Sequence, residues 1–177
     1  MSTDHDPRPP GDRVRVSVAV AVPPAVAFDI FTREIDRWWR RGRKFRQSGH
    51  RGGFIRLEPG VGGRLFESID ADDGEQVFVV GRVLVWEPPS RLSFTWRNST
   101  FTAEQSTEVE LLFESTEHGT LVTLTHHGWA SLPPDHPVRH GRPTAAFVRG
   151  IGMWWADQLT SLQLLAQAHA QHALPIP

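Results

Sequence analysis

Strict alternation of apolar and polar residues over 14–22 (VRVSVAVAV), rich in β-branched side chains, predicts a strand. Pro23 and Pro24 end it, and Pro24 suits the first position of a helix, where its missing N–H costs nothing. Residues 25–32 (AVAFDIFT) then predict a short helix through Val26, Phe28, Ile30 and Phe31, and 35–39 (IDRWW) a second one. Residues 40–53 are basic, glycine-bearing and without period, a loop with Trp38, Trp39 and Phe45 beside it. Strand-like segments follow at short intervals: 54–58, 64–69 after a PGVGG turn, 75–86 after DADDG, 92–96, 107–114 and 120–126. No helical segment separates them, so they predict an antiparallel meander.

The most informative stretch is 81–97, GRVLVWEPPSRLSFTWR. Val83, Leu84, Val85 and Trp86 suit a buried pleated surface. Pro88 and Pro89 withdraw two backbone donors in a row, and Pro88 holds Glu87 extended, so the strand runs straight to its stop. Beyond the turn Leu92, Phe94 and Trp96 face one way and Ser93, Thr95 and Arg97 the other. Arg82 shares parity with Leu84 and Trp86; that parity faces either a cavity edge or water. In 107–114 the inward set is Val109, Leu111 and Phe113, and in 120–126 it is Val122, Leu124 and His126.

Residues 144–169 carry the longest helical period, through Phe147, Ile151, Trp154 or Trp155, Leu159 and Leu162. Gly150 and Gly152 together cost it about 1–2 kcal/mol relative to alanine, which implies a packing reason or a local break. Only this helix is long enough to cover the inner face of a curved sheet. The predicted fold class is therefore α+β: a curved antiparallel sheet of about six to seven strands wrapped around a long C-terminal helix, with two short helices after the first strand. Residues 14–172 form one domain, between a polar, proline-rich tail at 1–13 and a frayed end at 173–177.

Composition narrows the function. The chain has 177 residues and a net charge of -1, so no global field draws it to nucleic acid or an anionic membrane. The absence of cysteine excludes disulfides, thiol catalysis and cysteine metal sites. No apolar run approaches the ~20 residues of a membrane span, and the first residues are no signal peptide, so a cytoplasmic location is expected. No cofactor motif is present: PGVGG lacks the Gly-Lys-Ser/Thr of a phosphate loop.

Candidate chemistry is sparse. His126 is either a core histidine with a hydrogen-bonded ring or a polar anchor for a ligand in an apolar hollow. Glu67 is either paired to Arg64, Arg82 or solvent, or a buried carboxylate fit for acid–base work. His136 and His140, and His169 and His172, have metal-like spacings but no third ligand, so no metal is expected. Arg37, Arg40, Arg41, Arg43, Lys44, Arg46 and Arg51, interleaved with Trp38, Trp39 and Phe45, form the best nucleic-acid candidate, although a solvated loop is the commoner meaning. In Trp38-Trp39 and Trp154-Trp155, helical neighbours point about 100° apart, so one of each pair should be core and the other at a rim or in the hollow.

Four stretches carry a family resemblance: VAVPPAVAFDIFT followed by IDRWW, then FIRLEPGVGGRLFE, GRVLVWEPPSRLSFTW, and TLVTLTHHGW with the closing helix's WWADQLTSL. In this order the chain resembles the SRPBCC (START-like, helix-grip) superfamily, and within it the activator of heat-shock protein 90 ATPase homologue family. The resemblance implies an apolar cavity between sheet and C-terminal helix. It implies a hydrophobic small molecule such as a lipid or polyketide as ligand, with a chaperone of the stress response as the alternative partner and cyclisation or hydrolysis as a third reading. The expected lining is Trp86, Phe94, Trp96, Phe113, His126, Ile151, Trp154 and Trp155, with Glu67 and His126 the catalytic candidates of the third reading. The long basic insert between Trp39 and Phe54 falls where such folds place elements of the cavity mouth. Sheet edges and an exposed tryptophan would suit a homodimer.

Overall fold

The computed structural model describes residues 11–49 and 51–173. Most of both expected tails, 1–10 and 174–177, lies outside the described residues. Strand β1 (Arg13–Val20) leads into α1 (Pro24–Arg33) and α2 (Ile35–Trp38). Six strands follow: β2 (Ile55–Leu57), β3 (Arg64–Ala71), β4 (Gly74–Glu87), β5 (Arg91–Trp96), β6 (Thr107–Thr116) and β7 (Gly119–His127). After two 3-10 turns, Trp129–Ser131 and Pro137–Arg139, comes α3 (Thr144–His172). The strands form one antiparallel sheet in the order β1-β7-β6-β5-β4-β3-β2, a meander closed by β1 returning beside β7. This is the α+β helix-grip arrangement the patterning predicts.

Register explains the inner face. Val14, His126, Val109, Phe94 and Val83 lie in one row across five strands, and Val16, Leu124, Leu111, Leu92 and Trp86 in the next. Two irregularities in β4 decide which side its residues face. Its register slips at Val80 against β3, where Leu65 pairs with Gly81 and Phe66 with Val79. It slips again at Leu84 against β5, where Val83 pairs with Phe94 and Val85 with Ser93. Each extra residue bends the strand and resets its alternation. The parity shared by Arg82, Leu84 and Trp86 is thereby broken: Arg82 and Leu84 face water while Trp86 packs against the core. At Gly81 the backbones of β4 and β5 approach so closely that a Cβ would sit 1.6 Å from the Thr95 carbonyl oxygen.

Helix α3 runs unbroken through Gly150 and Gly152. The reason for Gly152 is packing: a Cβ there would lie 2.9 Å from Val14 Cγ2, where α3 lies along β1. Trp155, Leu159, Leu162 and Ala166 form its buried face. Helix α1 covers the other end of the sheet, with Phe28 against Trp86 at 5.3 Å and Phe113 at 5.2 Å between ring centroids. None of the seven tryptophans is exposed, so the exposed tryptophan expected at a dimer edge does not occur.

Gly81→Ala should lose at least about 2 kcal/mol in denaturant unfolding, because a backbone carbonyl cannot move aside as a side-chain tip can. A variant as stable as the parent would contradict the close approach of β4 and β5.

Candidate functional site

Part of the inner face is roofed but not packed against. Between it and the first turns of α3 lies a cavity of about 550 Å³. The sheet contributes Ile55, Glu67, Val80, Trp96 and His126, and α3 contributes Phe147, Gly150, Ile151, Trp154 and Trp155. The third wall is the basic loop, residues 43–47, with Trp39 behind it; Arg97, Asn98, Val138, His140 and Arg142 complete the rim.

His126 sits at the inner end, 1% exposed. Its ring is enclosed by Trp129 at 4.4 Å, Trp96 at 5.2 Å and Trp155 at 6.0 Å between centroids. Trp155 Nε1 donates to His126 Nδ1 at 2.9 Å, so that nitrogen carries no proton. Nε2 lies 2.7 Å from the Thr107 hydroxyl, which itself donates to the Trp96 carbonyl oxygen at 3.1 Å. Nε2–H is therefore the donor, and the ring is the neutral Nε2 tautomer with both nitrogens satisfied. Burial pushes its pKa well below the usual histidine value, and neighbouring His127 adds to this. His126 gives the cavity an aromatic, uncharged end.

Glu67 reaches the cavity from β3 and is 2% exposed. It pairs with neither Arg64 nor Arg82. Its two oxygens accept the backbone N–H groups of Gln47 at 2.8 Å and Ser48 at 2.9 Å. Arg64 pairs instead with Glu58, whose carboxyl it holds down at about 2.

The loop is tied at other points as well. Arg40 N donates to Gln158 Oε1 at 2.8 Å, Trp154 Nε1 to the Lys44 carbonyl at 2.7 Å, and Lys44 Nζ to Asp157 at 2.6 Å. Buried Arg46 donates to Asp36 Oδ1 at 2.7 Å and to the Trp39 carbonyl at 2.7 Å. The Asp36 carboxyl also accepts the Ile55 amide. Burial raises its pKa, but the Ile55 amide and Arg46 outweigh that and leave it lowered.

Of the residues expected at the cavity, the structure brings Trp96, His126, Ile151, Trp154, Trp155 and Glu67 together. Trp86, Phe94 and Phe113 do not reach it. Phe28 of α1 packs onto Trp86 and Phe113, and Phe94 is fully buried in the core between Val83 and Val109. Of the two tryptophan pairs, Trp155 is buried and Trp154 half-buried on the wall, whereas Trp38 and Trp39 are both buried. The loop folds over Trp39, whose Nε1 donates to the Phe45 carbonyl at 3.0 Å. Neither indole of that pair is open to stack on a nucleobase. Several loop cations are also engaged: Arg37 with Glu34, Arg41 and Arg46 with Asp36, Lys44 with Asp157. Among the described residues no cluster of three metal-ligating side chains occurs. His136 is used internally, by Gln105 Oε1 at 2.9 Å and by the Val138 amide.

Sequence reasoning missed Phe147, Val138, Arg97, Arg142 and Gly150 as lining. Phe147 had left a signal in the apolar period of the long helix, and Gly150 in its poor fit to a helix: a Cβ there would lie 3.3 Å from Arg142 Nη1.

The family model described as Activator of Hsp90 ATPase homolog 1-like protein matches residues 21–162. No curated protein matches the chain by sequence. Among solved structures, protein MLL2253 of Mesorhizobium loti is 23% identical, covers 88% of this chain and 97% of its own, and superposes with a TM-score of 0.58. An AHSA1-like protein of Aeromonas hydrophila is 21% identical over 93% of this chain and 99% of its own, with a TM-score of 0.58. DynU16, a putative protein in the dynemicin biosynthetic locus, is 22% identical over 88% of this chain and 47% of its own, with a TM-score of 0.58. These likenesses concern the fold. No helix among the described residues is long and apolar enough to cross a membrane.

Glu67→Ala should leave the Gln47 and Ser48 amides unpaired, lower stability by about 2 kcal/mol and speed tryptic cleavage at Arg43 or Lys44. Unchanged digestion would show that the loop is held without it. His126 has its own signature. Below pH 6.5 the unfolded chain takes up a proton there that the folded chain refuses, so stability falls as pH drops, by about 1.4 kcal/mol per pH unit. Denaturant titrations between pH 7 and 5 should show this slope shrink in His126→Phe.

Proposed function

The chain belongs to the Activator of Hsp90 ATPase homolog 1-like protein family, and for this member we propose binding of a hydrophobic small molecule in the cavity between the sheet and α3. The observation that carries this reading is the cavity: a hollow of about 550 Å³ with Trp96, Trp154, Trp155, Phe147 and Ile151 in its walls. That volume lies in the range of small-molecule sites, and rigid aromatic walls suit flat or apolar ligands at little entropic cost. A fold neighbour belonging to a biosynthetic locus makes natural-product-like aromatics a fitting part of the ligand panel.

Turnover has less support. Glu67 and His126, the two groups available for acid–base work, have both oxygens and both nitrogens engaged by protein groups. A chaperone-binding role rests on the family description alone. Of the loop arginines that would carry it, Arg41 is paired with Asp36.

A panel of fatty acids and aromatic polyketides, read by tryptophan fluorescence and thermal shift, should include compounds that quench Trp154 and raise the melting temperature by about 5 °C or more at saturation. Ile151→Trp, which narrows the hollow from the α3 side, should weaken the response at least several-fold while lowering stability by no more than about 1–3 kcal/mol. No response from any compound, or an undiminished one in the narrowed variant, would remove the proposal.

A further inference from the structure

We propose that the ligand is an organic anion: a ring-bearing apolar body inside the cavity, with one carboxylate-type group held at the mouth by Arg43, Arg97 and Arg142. This rests on the cavity-binding reading above and adds the charge of the ligand to it.

The lining is unbalanced in charge. Arg43, Lys44, Arg46, Arg97 and Arg142 face the cavity against a single carboxylate, Glu67. Glu67 is consumed by the Gln47 and Ser48 amides. Lys44 and Arg46 are neutralised by Asp157 and Asp36. The other three guanidiniums have no carboxylate partner among the described residues. Arg97 uses only Nε, on the Val79 carbonyl oxygen at 3.2 Å, and lies over the Phe78 ring. The side chains of Arg43 and Arg142 make no hydrogen bond or ion pair within the described protein.

Arg142 is also seated. Its Nη1 lies 3.3 Å from where a Cβ at Gly150 would stand, so the guanidinium rests close to the helix backbone at a cavity-lining position.

The inner end has opposite character. His126 is neutral and internally bonded, and Trp96, Trp155 and Phe147 surround that end with ring surface. Polarity therefore runs from a cationic mouth to an aromatic, uncharged inner end at His126. Guanidinium forks match a carboxylate geometrically, and charge-assisted hydrogen bonds exceed neutral ones in strength. A rim of one sign also raises the local concentration of anions. A neutral apolar guest would leave these donors with water alone.

The test uses acid–amide pairs of equal shape on the full chain: 2-naphthoate against 2-naphthamide, and dodecanoate against dodecanamide, titrated by calorimetry and tryptophan fluorescence. Naphthoate should bind at least tenfold tighter than its amide, more weakly at high salt. In Arg43→Gln/Arg97→Gln/Arg142→Gln the advantage should vanish while naphthamide binding is unchanged. Equal affinity for acid and amide overturns the anion assignment and leaves cavity binding standing, as does an advantage that survives the triple substitution. Dodecanoate binding tighter than naphthoate overturns the ring-bearing part. Failure of all four compounds to bind overturns this inference together with the reading it rests on.

Discussion

An irregular backbone laid over a hollow must find partners for its amides inside the protein, and in this molecule a buried carboxylate answers that constraint. Glu67 stands on β3, almost free of solvent, and takes two consecutive N–H groups from the basic loop. Asp36 fastens the same loop to α2 and β2, and Gln158 fastens it to α3. Each acceptor lies on a different element, so the loop is held as a wall and not left as a solvated excursion. The cavity behind it follows from that anchoring.

The inner face of the sheet is divided between two coverings. Where α1 crosses, Phe28 and Phe31 fill the space against Trp86 and Phe113, and the interior is solid. Where only the first turns of α3 and the loop lie above the sheet, the interior is hollow. The seven indoles are placed accordingly, most of them packed edge to face around His126 and Trp39 and few of them free.

Function on a scaffold of this kind resides in how the hollow is finished. Here the finishing is asymmetric. The inner end is aromatic and neutral because buried His126 is satisfied by Trp155 and Thr107. The mouth carries the charge, Arg43 from the basic loop, Arg97 from just past β5 and Arg142 from just before α3. The backbone of the basic loop is bound inward, and part of its cationic fringe faces the opening.

The fold was largely legible in the residues. Period-two segments separated by glycine- and proline-rich turns required a meander, and one long amphipathic run had to cover it, because periodicity reflects burial and burial is local in sequence. Half-sites were legible too: Trp96, His126, Ile151, Trp154 and Trp155 read as inward and lie on the cavity wall. Phe94 and Phe113 read as inward with equal force, yet Phe94 is enclosed in the core and Phe28 of α1 covers Phe113; an inward side chain says nothing about whether its space is filled. The face of Arg82 and Leu84 was undetermined because one extra residue in β4 reverses parity without altering composition. Glu67 had no readable partner, since its amides come from a loop about twenty residues upstream. Apolar alternation along the chain determines which surfaces must be buried; only the long-range docking of loop, α1 and α3 decided which of them close on each other and which enclose a space.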